Sequence, residues 1–241
     1  MITIVLPVYN EDLILQENAM QVFDFCRHNL QEDWQIVISD NASDDKTREI
    51  GEYLAGKYNE IKYFRLNKQG KGEGVIGAWQ NFKGDVYVFM DIDLSVNLKS
   101  LPALIDGIKK GDDIVIGSRM AQGSQVNRSF FRTIFSYGLR FTLRICLGLK
   151  VKDAPCGFKA INNKVVEQIL PRIQDKAWFF DTEMLFLAQR QGFRIKEIPV
   201  DWEEVGRQDR HSKVGVFKVV IEYIRNIHRL NIQFGQYLVR K

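Results

Sequence analysis

The chain alternates short apolar runs with longer amphipathic stretches. The apolar runs predict strands at residues 2–6, 35–39, 61–66, 85–90 and 113–117. The amphipathic stretches predict helices at residues 13–30, from about residue 46, at residues 74–82 and at residues 98–110. Because strands that alternate with helices need crossover connections, we expect an α/β fold with a mostly parallel central sheet flanked by helices.

The pattern is less regular beyond residue 117. It predicts helices at residues 163–170 and 180–191, a short strand at residues 195–202 and a final amphipathic helix at residues 215–230. Residues 154–158 are typical of a turn. No repeat or linker interrupts the chain, so we predict one domain over residues 1–213, with residues 214–241 as its amphipathic helical extension.

The segment 128–149 is both basic and apolar. Every charged residue from Arg119 to Lys152 is basic, which indicates an anionic partner such as a phosphate, a nucleic acid or a membrane surface. Helical spacing gives it one apolar stripe: Phe131, Ile134, Phe135, Gly138, Phe141, Ile145 and Leu149. Arginines and leucines share the other side. The segment is therefore either a helix lying in a membrane interface or a core helix whose arginines reach solvent.

Composition excludes several classes of protein. Of the 241 residues, 45% are hydrophobic and 27% charged, which are globular values. The three cysteines lack the spacing of a zinc site or a disulfide framework and favour a reducing compartment. The first residues do not resemble a secretory signal. No apolar run approaches the roughly 20 residues of a membrane-spanning helix, so we expect contact with a membrane from one side only.

Two aspartates follow the apolar run at residues 86–90. Side chains two positions apart on an extended segment point the same way, so Asp91 and Asp93 can face one divalent cation. Mg²⁺ and Mn²⁺ take oxygen ligands, few of them from protein and the rest from phosphates and water. The alternative is that the pair caps a turn or a helix.

Other polar clusters also follow predicted strands. Those at residues 7–11 and 40–45 should line the same crevice as Asp91, because ligands bind at the carboxyl ends of parallel strands. Residues 72–77 match G-x-G-x-x-G but do not follow their strand directly. A flexible basic loop of Lys68, Gly70, Lys71 and Gly72 that closes on phosphates is therefore favoured over a nicotinamide site, and a plain loop leading into a helix is the other alternative. Asp181, at a predicted helix start, is either a cap residue or a catalytic group.

Taken in order, these residues resemble the inverting family 2 glycosyltransferases of the GT-A fold, and most of all the dolichyl- and polyprenyl-phosphate sugar synthases. The matching pieces are Leu6-Pro7-Val8-Tyr9-Asn10-Glu11, Asp40-Asn41-Ala42-Ser43-Asp44-Asp45, Asp91-Ile92-Asp93-Leu94-Ser95, Gly117-Ser118-Arg119, Cys156-Gly157-Phe158-Lys159, Phe180-Asp181-Thr182-Glu183 and Ser212-Lys213.

The resemblance implies a role for each matched position. The base and ribose of a nucleotide sugar would be held by Pro7, Tyr9, Glu11 and Asp40. The metal and diphosphate would be held by Asp91 and Asp93, with Ile92 and Lys71 beside the donor. The donor or acceptor phosphates would be held by Arg119, Arg132, Arg207, Arg210 and Lys213. Many family members carry transmembrane helices after the catalytic domain, whereas this sequence stops at Lys241, so we expect either its amphipathic segments or a partner to supply the contact with the membrane.

The expected activity is therefore transfer of a hexose from a UDP- or GDP-sugar to a polyprenyl phosphate, with inversion and with Mg²⁺ or Mn²⁺ as cofactor. A phosphate acceptor is already ionised at neutral pH and needs no base, whereas a sugar hydroxyl would need a carboxylate such as Asp181. We expect a cytoplasmic protein, peripheral on the inner face of an anionic membrane, and no nucleic acid partner. The alternatives are a soluble glycosyltransferase acting on a sugar hydroxyl, a nicotinamide oxidoreductase, and a catalytically silent lipid-binding relative.

Overall fold

A seven-stranded sheet forms the centre of the molecule. The structure is a computed structural model that describes residues 1–127, 130–203 and 216–235. The strands are β1 (Ile2–Val8), β2 (Trp34–Asp40), β3 (Ile61–Arg65), β4 (Val86–Met90), β5 (Ile114–Ser118), β7 (Phe158–Asn162) and β8 (Ile195–Pro199). A separate two-stranded sheet pairs β6 (Val126–Asn127) with β9 (Trp202–Glu203).

Helices connect the strands as the apolar periodicity predicts. They are α1 (Leu15–Asn29), α2 (Thr47–Lys57), α3 (Lys71–Asn81), α4 (Leu101–Lys109), α5 (Phe130–Leu147), α6 (Asn163–Gln168), α7 (Phe180–Arg190) and α8 (Val216–Gly235). Among the described residues, no helix is long and apolar enough to cross a bilayer.

The sheet has the order β3-β2-β1-β4-β7-β5-β8. Its pairs are parallel except where β7 runs antiparallel between β4 and β5. The predicted fold class, a mostly parallel sheet flanked by helices, is confirmed. The sequence did not predict β7, because Lys159 interrupts its apolar pattern and the preceding residues are typical of a turn.

Two hydrophobic layers cover the sheet, one on each face. One layer packs α1, α2 and α4 against residues such as Ile4, Ile36 and Val88. The other packs α3, α5, α7 and α8 against residues such as Val5 and Phe89. Burial on both faces explains why the central strands consist of unbroken apolar runs.

Three local predictions are corrected. Pro7 does not stop β1, which continues to Val8. Helix α3 begins at Lys71 rather than residue 74, so the predicted basic loop is partly the first turn of a helix. For α8, the spacing predicts an apolar face of Phe217, Val220, Ile221, Ile224 and Ile227. Ile227 does pack into the core, together with Tyr223 and Leu230, whereas Ile224 is exposed.

The apolar stripe predicted for α5 is also corrected. The leucines placed among the arginines are the packing residues, since Leu143 and Leu147 are buried and Leu139 packs partly against the core. Phe135, Phe141 and Ile145, taken from the predicted stripe, are 53%, 69% and 67% exposed, whereas Leu149 of the stripe is buried just beyond the end of α5. The side chains of Phe131 and Ile134 lie outside the described residues. Helix α5 therefore rests on the protein through leucines and presents large apolar side chains outward.

Candidate active site

The loops after β1, β2 and β4 meet at the carboxyl edge of the sheet. Three residues other than glycine adopt positive φ angles there: Asn10 at 53°, Ala42 at 61° and Leu94 at 53°. Side-chain hydrogen bonds join the first two loops, because Asn10 N donates to Ser43 Oγ (3.0 Å) and Asp44 N donates to Asn10 Oδ1 (2.9 Å). Strained backbone of this kind is retained where surrounding structure holds it, commonly at functional sites.

Asp91 and Asp93 line one cavity at this edge. The cavity has a volume of about 120 Å³ and is also lined by Arg119, Gly157 and Trp202. The backbone N–H of Asp91 donates to the carbonyl of Gly157 (3.1 Å), which fixes the start of the loop against β7. Asp93 Oδ1 accepts from Ser95 N (3.1 Å). Asp93 thus has part of the turn-capping role that was the alternative interpretation, while still facing the cavity.

These carboxylates fit a hard divalent cation. A Cβ on Gly157 would lie 1.9 Å from Asp91 Oδ2, so the Asp91 carboxylate has its present position only because residue 157 is glycine. Within the described residues, no group of three or more His, Cys, Asp or Glu side chains could hold a metal ion. Two carboxylates suit Mg²⁺ or Mn²⁺ that takes its other ligands from a diphosphate and water.

The Asp91 carboxylate is bound by Lys71. Lys71 Nζ lies 2.6 Å from Asp91 Oδ1 and above the rings of Trp178 (5.1 Å) and Phe89 (5.8 Å). Burial alone would lower the pKa of Lys71, but the carboxylates of Asp91, Asp181 and Asp93 have the larger effect, so the pKa of Lys71 is raised above its ordinary value. Lys71 is therefore a cation within a largely enclosed, partly aromatic environment.

The first turn of α3 places Lys71 there. Gly72 N donates to Ala177 O (3.1 Å) and Glu73 N to Lys176 O (3.0 Å). Because these carbonyls already bond the helix-start amides, phosphate at this end would be met by the Lys71 side chain rather than by the backbone. The glycines of the G-x-G-x-x-G match serve packing: a Cβ on Gly72 would lie 2.6 Å from Phe180 Cβ.

Arg119 enters the same cavity already paired. Its Nε and Nη2 donate to the two oxygens of Asp153, each at 2.8 Å, and its backbone N–H donates to Asp153 as well. Burial raises the pKa of Asp153, but the Arg119 guanidinium outweighs it and holds that pKa below the usual range. The guanidinium also lies 5.7 Å from the Trp202 ring centroid, so Arg119 is held firmly at the wall of the cavity.

Asp181 belongs to a buried ion pair. Lys159 Nζ lies 2.7 Å from Asp181 Oδ2 and also donates to the carbonyl of Cys156. The Lys159 side chain has no exposed surface and that of Asp181 is 8% exposed. Glu183, two residues on, instead accepts two hydrogen bonds from Arg229 of α8 (2.9 and 2.8 Å). The two acids at the start of α7 therefore differ: one pairs near the cavity and the other ties two helices together.

The residues predicted to hold the base and ribose lie at the ends of β1 and β2. Asp40 is fully buried, and its carboxylate accepts hydrogen bonds from Tyr63 Oη (2.5 Å), Arg65 Nη1 and Ser43 N (2.9 Å). Tyr9 Oη accepts from Gln69 Nε2 at 2.5 Å. Glu11 N donates to Thr47 Oγ1 at 2.7 Å. Their roles in donor binding stay predictions.

The remaining predicted site residues divide into two groups. Pro7 and Ile92 are buried, and the carbonyl of Ile92 accepts from Asn18 Nδ2 (2.8 Å), so both shape the site from beneath. Arg207, Arg210 and Lys213 lie outside the described residues, as does the side chain of Arg132.

The structure adds residues to which the sequence had assigned no role. Asp153, Gly157 and Lys159 all lie around β7, the unpredicted strand. One signal was present in the sequence: a lysine inside the run Phe158-Lys159-Ala160-Ile161 requires a buried anionic partner if that run is a strand.

Comparison with known proteins identifies the family. Residues 3–170 match the family described as glycosyl transferase family 2, and the chain belongs to that family. It is 32% identical over 233 residues to dolichol-phosphate mannosyltransferase of Pyrococcus furiosus, covering 95% of this chain and 63% of that protein. It is 30% identical over 225 residues to dolichyl-phosphate beta-glucosyltransferase of Saccharomyces cerevisiae, covering 85% and 67%.

Other relatives are larger or more distant. Glycosyltransferase AglD of Haloferax volcanii is 31% identical over 208 residues, which are 85% of this chain and 33% of that protein. The chain thus spans from about a third to two thirds of the length of these relatives. The fold matches that of glucosyl-3-phosphoglycerate synthase from Mycobacterium tuberculosis, solved with Mn²⁺ and UDP-glucose (TM-score 0.67, 16% identity, 98% of this chain and 79% of that one).

Proposed function

We propose that this chain transfers a hexose from a nucleotide sugar of the UDP-glucose or GDP-mannose type to a polyprenyl phosphate, with inversion. The observation that carries the proposal is one cavity in which Asp91, Asp93 and Arg119 converge, with Lys71 on Asp91. Carboxylates that would hold a metal ion lie here beside lysine and arginine side chains that would bind phosphates, which suits a reaction between two phosphate-bearing substrates. The names of the relatives, dolichyl-phosphate mannosyl- and glucosyltransferases, support the same substrates.

The proposed mechanism assigns each group one task. A divalent cation held by Asp91 and Asp93 would stabilise the charge that develops on the leaving diphosphate. Lys71 would add a second positive charge on the donor side, and Arg119, held by Asp153, would orient a phosphate at the cavity wall. Arg132, Arg207, Arg210 and Lys213 are proposed to contribute further cations to the phosphates.

The state of Asp181 favours a phosphate acceptor over a hydroxyl. A general base must accept a proton from its substrate, but the Asp181 carboxylate is already bound to the buried ammonium of Lys159 at 2.7 Å. The Lys159 ammonium therefore already occupies Oδ2 of this carboxylate, and that oxygen is not free to accept a proton from the substrate. A phosphate monoester is largely dianionic at neutral pH and attacks without a base. We therefore propose that Asp181 does not take up a proton and that its role is to hold Lys159 in place through their ion pair.

The test is a transfer assay with radiolabelled UDP-glucose and GDP-mannose, each with dolichyl phosphate and with dolichol. We expect product only with the phosphorylated lipid, only with Mg²⁺ or Mn²⁺, and none from Asp93→Asn. Asp24→Asn, a change at an exposed aspartate of α1, is the matched control and should retain activity. Transfer to the hydroxyl of dolichol would refute the need for a phosphate acceptor and favour the hydroxyl alternative, and full activity with EDTA would refute the metal assignment.

We further propose that α5 docks on the anionic cytoplasmic face of a membrane, where the lipid acceptor would lie. Phe135, Phe141 and Ile145 are exposed beside Arg140 and Arg144, and no acidic residue lies between Arg119 and Lys152. Apolar side chains flanked by cations suit the boundary between acyl chains and anionic headgroups.

Vesicle flotation tests the docking. Phe141→Ser combined with Ile145→Ser should weaken binding to phosphatidylglycerol vesicles by about tenfold or more, because each buried apolar side chain contributes about 1.5–3 kcal/mol. Leu13→Ser, at another exposed apolar residue, should leave flotation unchanged. Equal flotation of all three proteins would refute docking through α5.

A further inference from the structure

The ion pair between Lys71 and Asp91 places a side-chain cation at the carboxylate assigned to the metal. Lys71 Nζ lies 2.6 Å from Asp91 Oδ1, and the Lys71 side chain is only 19% exposed, against 41% for Asp91. The ammonium is further enclosed by the rings of Phe89 and Trp178. This lysine is thus the counter-ion of Asp91.

A metal ion and the ammonium would compete for this carboxylate. Two unit positive charges about 4 Å apart repel by roughly 1 to 4 kcal/mol in environments between bulk water and a protein surface, and a divalent ion doubles this to roughly 2 to 8 kcal/mol. The Lys71 backbone has little freedom to relieve this repulsion, because neighbouring amides are bonded to the carbonyls of Ala177 and Lys176. The side chain can move, and the anion that would arrive together with the metal is a diphosphate.

We propose that Lys71 is a displaceable counter-ion that couples metal binding to donor binding. In the empty site it neutralises Asp91 and weakens the binding of metal alone. When metal and a nucleoside diphosphate bind together, the ammonium transfers from Asp91 to the diphosphate, so each ligand strengthens the binding of the other. This inference rests on the proposed function, since it needs a cation at Asp91 and a diphosphate beside it.

Mn²⁺ binding tests the coupling without measuring activity. Free Mn²⁺ is followed by electron paramagnetic resonance, alone and with saturating UDP or GDP. For Lys71→Met we expect Mn²⁺ alone to bind roughly fivefold or more tightly than to the wild type. The gain in Mn²⁺ affinity on adding nucleotide should shrink by at least the same factor.

Two further variants separate competition from general charge effects. Lys71→Arg keeps the cation and should retain most of the coupling. Lys196→Met, on the edge strand β8, breaks another Lys–Asp pair, in which Lys196 Nζ lies 3.7 Å from Asp112 Oδ2, and should leave Mn²⁺ binding unchanged.

The outcomes distinguish this inference from the proposed function. If Lys71→Met binds Mn²⁺ alone no more tightly than the wild type does, the counter-ion role is refuted while the metal site stands. If the wild type binds no Mn²⁺ even with both nucleotides tested, the metal site and this inference both fail. A thermal unfolding curve of each variant verifies that the variant is folded under the conditions of the Mn²⁺ binding measurement.

Discussion

Gly157→Ala is the sharpest test of the site, because it adds one methyl group beside Asp91. That Cβ would lie 1.9 Å from Asp91 Oδ2, and real Cβ contacts are essentially never shorter than 3.0 Å. The carboxylate must therefore retreat by about 1.1 Å or more, several times the tolerance of about 0.2 Å on metal–ligand distances. We expect a displacement of this size to lower the transfer rate about 100-fold.

The assay for Gly157→Ala combines Mn²⁺ binding in the presence of UDP or GDP with the transfer rate. Asp91 is partly exposed and can turn toward solvent, so the fold should survive and the loss should appear in metal affinity. The matched control is Gly56→Ala in α2, where an added Cβ meets nothing within 4 Å. It should stabilise the protein by about 0.5–1 kcal/mol without affecting activity. Normal Mn²⁺ affinity in Gly157→Ala would refute the assignment of Asp91 to the metal.

Three other experiments probe the buried charges and the thiols. Asp153→Asn should cost about 3–5 kcal/mol of unfolding free energy at pH 7, because it leaves Arg119 nearly buried and unpaired. The pKa of Asp153 is lowered in the folded state, so its contribution is present above about pH 4 and lost as the pH falls further; urea titrations should show the variant and wild type converging there. By the same titration, Lys159→Met should cost about 3–5 kcal/mol, because it leaves the buried Asp181 carboxylate unpaired. Lys159→Met combined with Asp181→Asn should cost much less, because neither charge of the pair then remains. Iodoacetamide should label Cys146 alone in the folded protein, as measured by mass spectrometry, because burial raises the pKa of the other two thiols to about 12.

The sequence predicts the fold well where burial acts on both sides of a strand. Strands β1, β2, β4 and β5 are apolar runs bounded by polar loops, and their ends are predicted to within one or two residues. It fails at β7, where the structure tolerates a fully buried Lys159 because α7 supplies Asp181. That compensation joins residues 22 positions apart and leaves no periodic signal.

The site is predictable to the extent that it follows from strand ends. Asp91, Asp93 and Arg119 all come at the carboxyl ends of parallel strands, and the structure brings them to one cavity. The packing side of α5 is not predictable from spacing alone, because leucines and aromatic residues form two apolar faces on the same helix. Only the position of the core selects the leucines.

The two lysines near Asp91 and Asp181 show how one site can hold fixed and movable charge together. Lys159 has no exposed surface and bonds both a carboxylate and a backbone carbonyl, so moving it would leave polar groups unpaired in the core. Lys71 has partial access to solvent, and in the part of the chain that the structure describes it forms an ion pair with one carboxylate, that of Asp91, which is itself 41% exposed, so its release costs less. Lys159 is thus suited to hold Asp181 in place through a reaction cycle. Lys71 is suited to change partners when a metal and a diphosphate arrive.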